Sequence, residues 1–425
     1  MSISDIAIIE IDETPPPLEL TPEEIEALTD ELVGYHAEFA DLFYRVEQAH
    51  WSYKYLQGLM LPIEHKAIQP MAMALENGDI QAMQQFIGQG RWQDGRLLRK
   101  HWQLVDETLG EADGVWIVDA SGFPKKGKHS VGVARQWCGR LGKVENCQVG
   151  VFAAYASRQG YTLLDRRLYL SGAWFDADHQ ARREQCGVPK DITFCTKPEL
   201  ALDMLETVID AGRLRFRWIA CDEAYGRDTA FLDGIAGLSG DYWYLAEVPH
   251  DTCVWETRPQ TAMPAWRGQG RKPTHAQLVV GEPAAKRVET IAATIPTDAW
   301  RPYLIKEGSK GPMVAHFTFR RVVAVRDGLP GPDVWLILRR SLDEAPELKA
   351  YLSNAPADTP HAEFARVAGM RWPVETAIED GKSHLGMDDY MVRSWLGWHH
   401  HMTACILAHH FLVRVQHRLK KGRPL

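Results

Sequence analysis

VWIVDASGFPKKGKHSVGV, residues 115–133, decides how the rest of the chain is read. It opens with an apolar run, Val115-Trp116-Ile117-Val118, that ends in a carboxylate, Asp119. Small residues and a basic cluster follow: Lys125, Lys126, Lys128 and His129. The pattern predicts a buried strand that delivers an acid to its mouth, with cations just beyond. That combination suits a metal ion and a polyanionic substrate, provided the chain supplies further carboxylates.

A second stretch repeats the arrangement. In FRWIACDEAYG, residues 216–226, Phe216, Trp218, Ala220 and Asp222 share one strand face, and Asp222 stands at the end of the apolar run. A third acid is expected on a helix beginning at Pro373. In RWPVETAIEDGK, residues Arg371, Glu375, Glu379 and Lys382 fall within roughly 80° of helical arc at about 100° per residue. Pro373 fits only a first turn, so Arg371 sits just ahead of the helix. From this segment alone, a solvated face of i,i+4 pairs such as Arg371–Glu375 reads equally well. The set is more specific: two Asp at strand ends 103 residues apart, and a Glu on a helix 153 residues later, beyond a β-rich stretch. Hard oxygen ligands suit Mg²⁺ or Mn²⁺ rather than zinc. Three carboxylates can hold two such ions about 4 Å apart, one activating a nucleophile and one stabilising the leaving oxygen of a phosphodiester.

Bulk properties narrow the class. At 425 residues the chain exceeds one ordinary core. Its 45% hydrophobic and 24% charged fractions fit a soluble globular protein. No apolar run approaches the roughly 20 residues that span a bilayer, and the acidic N-terminus does not read as a signal peptide. Seven cysteines are scattered without a C-x-x-C pair, which points to reduced thiols in the cytoplasm and away from structural zinc. The net charge of −8 is unevenly placed: residues 1–44 hold twelve Asp or Glu and no Lys or Arg. The remainder carries 48 basic and 44 acidic residues, so local basic clusters can still meet DNA.

In chain order, residues 1–19 with Pro15-Pro16-Pro17 read as a flexible acidic lead-in. Thr21, Pro22 and Glu24 form a helix start with a capping box, and 20–108 reads as a helical N-terminal domain broken near Leu61-Pro62 and Gly88–Gly90. Its aromatics Phe43, Tyr44, Trp51, Tyr53 and Tyr55 fit a core better than nucleic-acid platforms. Residues 109–249 form the first part of an α/β core, with a hairpin at 146–174, a helix at 197–211 closed by Gly212, a short helix at 227–237 and a strand at 241–249. Residues 250–345 read as a β-rich insertion built on the runs HAQLVV, RVETIAAT, HFTFRRVVAV and VWLILRR. Residues 346–416 complete the core with helices near 361, from Pro373 and from about 392, and 417–425 is a basic, frayed tail.

These motifs resemble a known family. VDASGFPKKGKHSVGVARQWCGRLGKVENCQVGVF at the first Asp is similar to bacterial insertion-sequence transposases of the DDE type. The similarity continues in YLQGLMLPIEHKAIQPMA, CDEAYG, YLSNAP and RWPVETAIEDGKSHLGMDDYMVRSWLGWHHHMTACILAHHF, covering most of residues 45–412. The resemblance implies an α/β fold of ribonuclease-H-like type, with a mixed sheet and flanking helices, a β-rich insertion before the last acid and a DNA-binding helical N-terminal domain. It implies Asp119, Asp222 and Glu375 as catalytic metal ligands for two ions, Mg²⁺ or Mn²⁺, and double-stranded DNA as partner, with a homodimer pairing two transposon ends. A related hairpin-forming branch carries Tyr-x2-Arg-x3-Glu-x6-Lys; Arg371, Glu375 and Lys382 match its spacing, while Ala368 holds the Tyr position. In that branch an aromatic of the insertion stacks on an extruded base, which makes Trp255, Trp266, Trp300 and Trp335 candidates.

Other signals are weaker. His399-His400-His401 could suggest a metal site or a nuclease with Tyr390 as nucleophile, but the run reads better as a partly exposed helix face, as does His409-His410. Ser121 with His129 makes no triad. Lys125, Lys126, Lys128, Arg135 and Arg140 form a stripe of DNA-contact candidates, with Arg371 and Lys382 beside the third acid and Lys143, Arg267, Arg271 and Lys272 as lesser ones. The leading expectation is a transposase that binds terminal inverted repeats, cuts the strands and joins the 3′-hydroxyl to target DNA. The competitors are a metal-dependent nuclease without strand transfer and a non-catalytic DNA-binding descendant.

Overall fold

Helices come first in the chain, as the spacing of apolar residues predicts: α1 (Pro22–Ala40), α2 (Val46–Met60), α3 (Ile68–Ala74), α4 (Ile80–Gly88) and α5 (Asp94–Leu109). A computed structural model describes residues 22–422 apart from 267, 269, 270, 309, 310 and 344. The acidic lead-in, the Thr21 cap, Arg267 and residues 423–425 lie outside that description. The described chain forms two compact units, one of Trp218–Arg371 and the other of the residues up to Arg217 together with those from Trp372 onward.

In the latter unit the helices are followed by β1 (Val115–Pro124), β2 (Ala134–Cys138), β3 (Lys143–Ser157), β4 (Gly160–Tyr169), α6 (Gln180–Gln185) and α7 (Lys197–Ala211). The long strand β3 pairs antiparallel with β1 on one edge, and with β2 and then β4 on the other. Helix α7 begins in a capping box, where Thr196 accepts from the Glu199 N–H and Glu199 accepts from the Thr196 N–H. It ends at Gly212 in the left-handed region.

The other unit contains β5 (Trp218–Cys221), α8 (Glu223–Gly226), α9 (Thr229–Ala236), β6 (Trp243–Val248), β7 (Cys253–Trp255), β8 (Thr261–Ala262), β9 (Gln277–Leu278), β10 (Lys286–Arg287), α10 (Val288–Ala293), β11 (Arg301–Gly308), β12 (Gly311–Arg326), β13 (Leu329–Arg340), β14 (Leu348–Ser353) and α11 (His361–Gly369). Its strands run in the order β10-β7-β12-β13-β14-β6-β5, with β11 also on β12 and β8 paired with β9 alone. β5 and β6 are parallel and the other pairs antiparallel. The mixed α/β class read from the sequence is therefore the one observed. Two expectations for 250–345 are corrected. RVETIAAT is not a strand but α10, because Val288, Ile291 and Ala292 bury one helical stripe. HAQLVV contributes only the two residues of β9, and Val280 is fully exposed.

The chain then returns with α12 (Pro373–Leu385) and α13 (Trp395–Gly422), the latter extending the helix through the expected tail. Helix α13 packs against β4 and is covered by α2, α4, α5 and α12, so the N-terminal helices share its core. This overturns the expectation of a partly exposed histidine face: His399, His400, His401, His409 and His410 are all buried. His399 Nδ1 lies 2.9 Å from the Trp395 carbonyl of α13 itself, and the other four have polar partners on surrounding elements. His400 stacks on Trp92, with its ring nitrogens 3.0 and 3.1 Å from the carbonyl oxygens of Ile87 and Trp92. His401 is hydrogen-bonded to the Tyr55 hydroxyl (2.8 Å), and His410 to the Tyr35 hydroxyl (3.3 Å). On α5, His101 donates from Nε2 to the Leu163 carbonyl on β4 (2.8 Å).

Burial pushes the imidazoles of His101 and His401 down to about 4, so both are neutral in the folded protein near pH 7. Their unfolded counterparts titrate near 6.5. Stability from keeping them neutral is complete above about 6.5 and is lost as pH falls toward 4, at up to ~1.4 kcal/mol per pH unit for each histidine. Thermal melting between pH 7 and 5 is expected to show a steep drop in Tm. A flat profile over that range would contradict burial of these imidazoles in the neutral form.

Candidate active site

The residues predicted to carry chemistry divide between the two units, and each group is built locally. In the unit containing β1, Val115–Val118 are buried and Asp119 is half-buried at mid-strand: β1 runs on to Pro124 rather than ending at the acid as expected, because the ladder with β3 continues to the Pro124–Cys147 pair. Asp119 lies opposite Phe152 in the ladder, and its Oδ1 accepts the Ala120 N–H at 2.6 Å. Alternation puts Asp119, Ser121 and Phe123 on one face of β1. Lys382 of α12 lies along that face: its ammonium donates to Ser121 Oγ at 2.7 Å and stands 5.2 Å from the Phe123 ring centre. Glu375 is seven residues earlier on α12, two turns away on the same helical face. It is half-buried in the first turn behind Pro373, whereas Glu379 is exposed and accepts from Ser383.

The far end of α12 is fixed by the segment that joins α2 to α3. Lys66, buried, donates from Nζ to the carbonyls of Leu59 and His384, and its backbone N–H donates to Asp389 (2.8 Å). Gly386 ends the helix with φ +61°, and a Cβ there would lie 2.4 Å from the Lys66 Cβ, so both conformation and space demand glycine.

The basic cluster after β1 is less uniform than its sequence. Lys125 turns inward, its ammonium 3.5 Å from the Tyr390 ring centre and bonded to the Tyr390 carbonyl (3.2 Å), and burial pushes its pKa down to about 8. Tyr390 is itself buried and donates to Gln148 (2.9 Å), in a structural role rather than that of a nucleophile. Lys126, Lys128, His129 and Arg135 are exposed. Arg140 pairs with Asp388. The β2–β3 hairpin adds an unforeseen feature, the exposed side chains of Trp137, Leu141 and Val144 beside those cations. The signal was the alternation Arg135-x-Trp137, which sends a cation and an aromatic out from the same strand face.

In the unit containing β5, the strand is buried throughout and stops at Cys221. Asp222 caps α8 instead of ending the strand, its Oδ1 accepting from Ala224 (3.0 Å) and Tyr225 (3.3 Å). Burial raises its pKa, opposed by those backbone N–H groups and by Arg371. Gly226 closes the CDEAYG motif where a Cβ would lie 1.9 Å from the Glu247 carbonyl oxygen on β6. Arg371, expected at a phosphate, pairs through Nε with Glu247 at 3.2 Å, and Lys349 pairs with the same carboxylate at 3.0 Å. Glu247 was missed by sequence reasoning, although an acid inside the apolar run WYLAEVP was a usable signal. Of the four tryptophans proposed to stack on a base, Trp255, Trp300 and Trp335 are buried; Trp266 is exposed, with Lys272 5.2 Å from its ring.

The three acids are hard oxygen donors of the kind Mg²⁺ accepts. Among the described residues, no three His, Cys, Asp or Glu side chains are already gathered closely enough to hold a metal ion. The fit to a divalent metal therefore rests on the chemistry of the donors.

Comparison with known proteins adds independent information. A family model described as DDE superfamily endonuclease matches residues 38–312, a range that holds Asp119 and Asp222 and ends before Glu375. A probable transposase for insertion sequence element IS701 from Microchaete diplosiphon is 26% identical over 176 residues, covering 41% of this chain. The match spans 43% of that relative's length.

The Glu247 pairings yield a test. Glu247→Gln removes the carboxylate charge that the half-buried Arg371 and Lys349 share, and denaturant unfolding is expected to show a loss of ~1–3 kcal/mol. An unchanged midpoint would mean that these pairs contribute nothing.

Proposed function

The chain belongs to the DDE superfamily of endonucleases, and on that premise we propose that it is an insertion-sequence transposase. In this reading it binds double-stranded DNA at terminal inverted repeats, cuts strands by hydrolysis and joins the freed 3′-hydroxyl to target DNA. Asp119, Asp222 and Glu375 are the metal ligands, for two Mg²⁺ or Mn²⁺ ions. Bound there, the ions supply activation of the attacking oxygen and stabilisation of the leaving one. The observation that carries the reading is the Lys382–Ser121 bond, which fastens the helix of Glu375 against the strand of Asp119. Half-burial of Glu375 and exposure of Glu379 support the choice between the two.

The protein's own groups bind and orient. Lys382 uses one ammonium proton on Ser121, which leaves two to meet a phosphate beside that face of β1. Lys126, Lys128 and Arg135 are exposed beyond the Pro124 end of β1 and suit contacts to the DNA backbone, which fix position without reading sequence. Arg371 is engaged by Glu247, so its part is to balance charge around Asp222 before any phosphate contact. Pairing two ends implies a dimer on DNA. No described helix is long and apolar enough to cross a membrane.

The test uses DNA bearing the element's terminal repeats, with Mg²⁺. Asp119→Ala, Asp222→Ala and Glu375→Ala are each expected to lower cleavage and joining by at least ~10³-fold, and Glu379→Ala to leave both within a few-fold. Retained activity in any of the three variants would remove that residue from the site. Cleavage without joining by the wild type would instead favour a nuclease, which the same acids would serve.

A further inference from the structure

The N-terminal helices carry a concavity that the proposed cleavage chemistry leaves unused. Between the start of α2 and the end of α4 lies a pocket of about 810 Å³ with Phe86 at its floor. Tyr44, 60% exposed, and Trp51 give it aromatic walls; Gln48 and Gln85 give it amides; Arg45 and Arg91 give it guanidinium groups. Glu47 is its carboxylate. Gln48 Oε1 is buried and has no hydrogen-bond partner among the described residues, an acceptor waiting for a donor.

A second concavity of about 250 Å³ is lined by Arg96, Arg99, Lys100 and Arg213, with no carboxylate among its described lining residues. Lys100 is partly neutralised by Glu38, at 2.8 Å. The two concavities are joined through one contact, since the Arg96 guanidinium stands 5.7 Å from the ring centre of Tyr44.

Aromatic faces, edge-reading amides and a cationic track make up the chemistry of single-stranded nucleic acid binding, where bases leave the stack and phosphates follow a positive groove. A duplex keeps its bases stacked and presents only their edges, which a recessed aromatic pocket cannot reach. A lipid or a purely apolar ligand would leave the amides and guanidinium groups desolvated without partners. We propose that this pocket receives an unpaired base of a DNA strand while the neighbouring cationic concavity holds that strand's phosphates. The proposal rests on the reading of the chain as an enzyme acting on DNA.

The test uses the full chain and fluorescence anisotropy with a fluorescein-labelled single strand of about 20 thymidines, and a duplex of the same length. Tyr44→Ala, Gln85→Ala and Arg91→Ala alter exposed side chains, and circular dichroism melting checks that each variant folds. Tyr44→Ala is expected to weaken single-strand binding about tenfold, as loss of one stacked base does, with little change on the duplex. Arg99→Ala with Arg213→Ala is expected to make the salt dependence of single-strand binding shallower, by about 0.7 in log–log slope for each phosphate no longer neutralised. Folded variants with unchanged single-strand affinity, or with equal losses on single strand and duplex, would overturn the proposal. Metal-dependent cleavage is measured in parallel. Absence of cleavage with pocket-dependent binding intact would overturn the catalytic reading alone; cleavage with no effect of the pocket variants would overturn the pocket alone.

Discussion

Burial of α13 along most of its length is the constraint around which its unit is arranged. Five of the helix's six histidines, at 399–401 and 409–410, lie inside the protein, and burying an imidazole is costly unless its polar atoms find partners. The carbonyls of Ile87 and Trp92 partner His400, and the hydroxyls of Tyr55 and Tyr35 partner His401 and His410, though His410 Nε2 has no partner among the described residues; each of these groups comes from the N-terminal helical segment. Thr162 on β4 reaches His409 at 3.0 Å. The same contacts that satisfy α13 therefore hold the N-terminal helices and the β4 edge of the sheet together. Helix α12 lies against this assembly, and its position determines where Glu375 and Lys382 stand.

Much of this is legible in the sequence, for physical reasons that differ by element. Helix α7 can be bounded to the residue because Thr196, Glu199 and Gly212 are capping chemistry written locally. Strand β1 can be placed because four consecutive apolar residues before an acid have few other uses. The histidine run defeats local reading because polarity alone suggests exposure. Its burial depends on carbonyls and hydroxyls more than 300 residues away in the chain, which no local pattern contains. The segment 287–294 misleads for a related reason: Val, Ile and Thr favour strands by propensity, yet the buried stripe Val288-Ile291-Ala292 follows the helical period. Lys125 shows the same limit on the site, since the sequence cannot tell an ammonium facing a phosphate from one held over Tyr390.

The candidate site gains definition from small bonds rather than from any single motif. Ser121 matters because it gives Lys382 a fixed partner one strand step beyond Asp119, and Gly386 and Lys66 matter because they anchor the other end of α12. Asp222 works first as a helix cap, which orients its carboxylate before any ligand arrives. Glu247 and Arg371 set the charge around it. Cations and an exposed tryptophan on the β2–β3 hairpin extend the surface beyond the Pro124 end of β1.

The central proposal is that Asp119, Asp222 and Glu375 are the ligands for divalent metal. Binding of Mn²⁺ followed by electron paramagnetic resonance, in wild type and in the three single Ala variants with DNA present, tests it without relying on turnover. Each substitution is expected to lower the amount or affinity of bound Mn²⁺. Undiminished binding in any one of the three would contradict the claim.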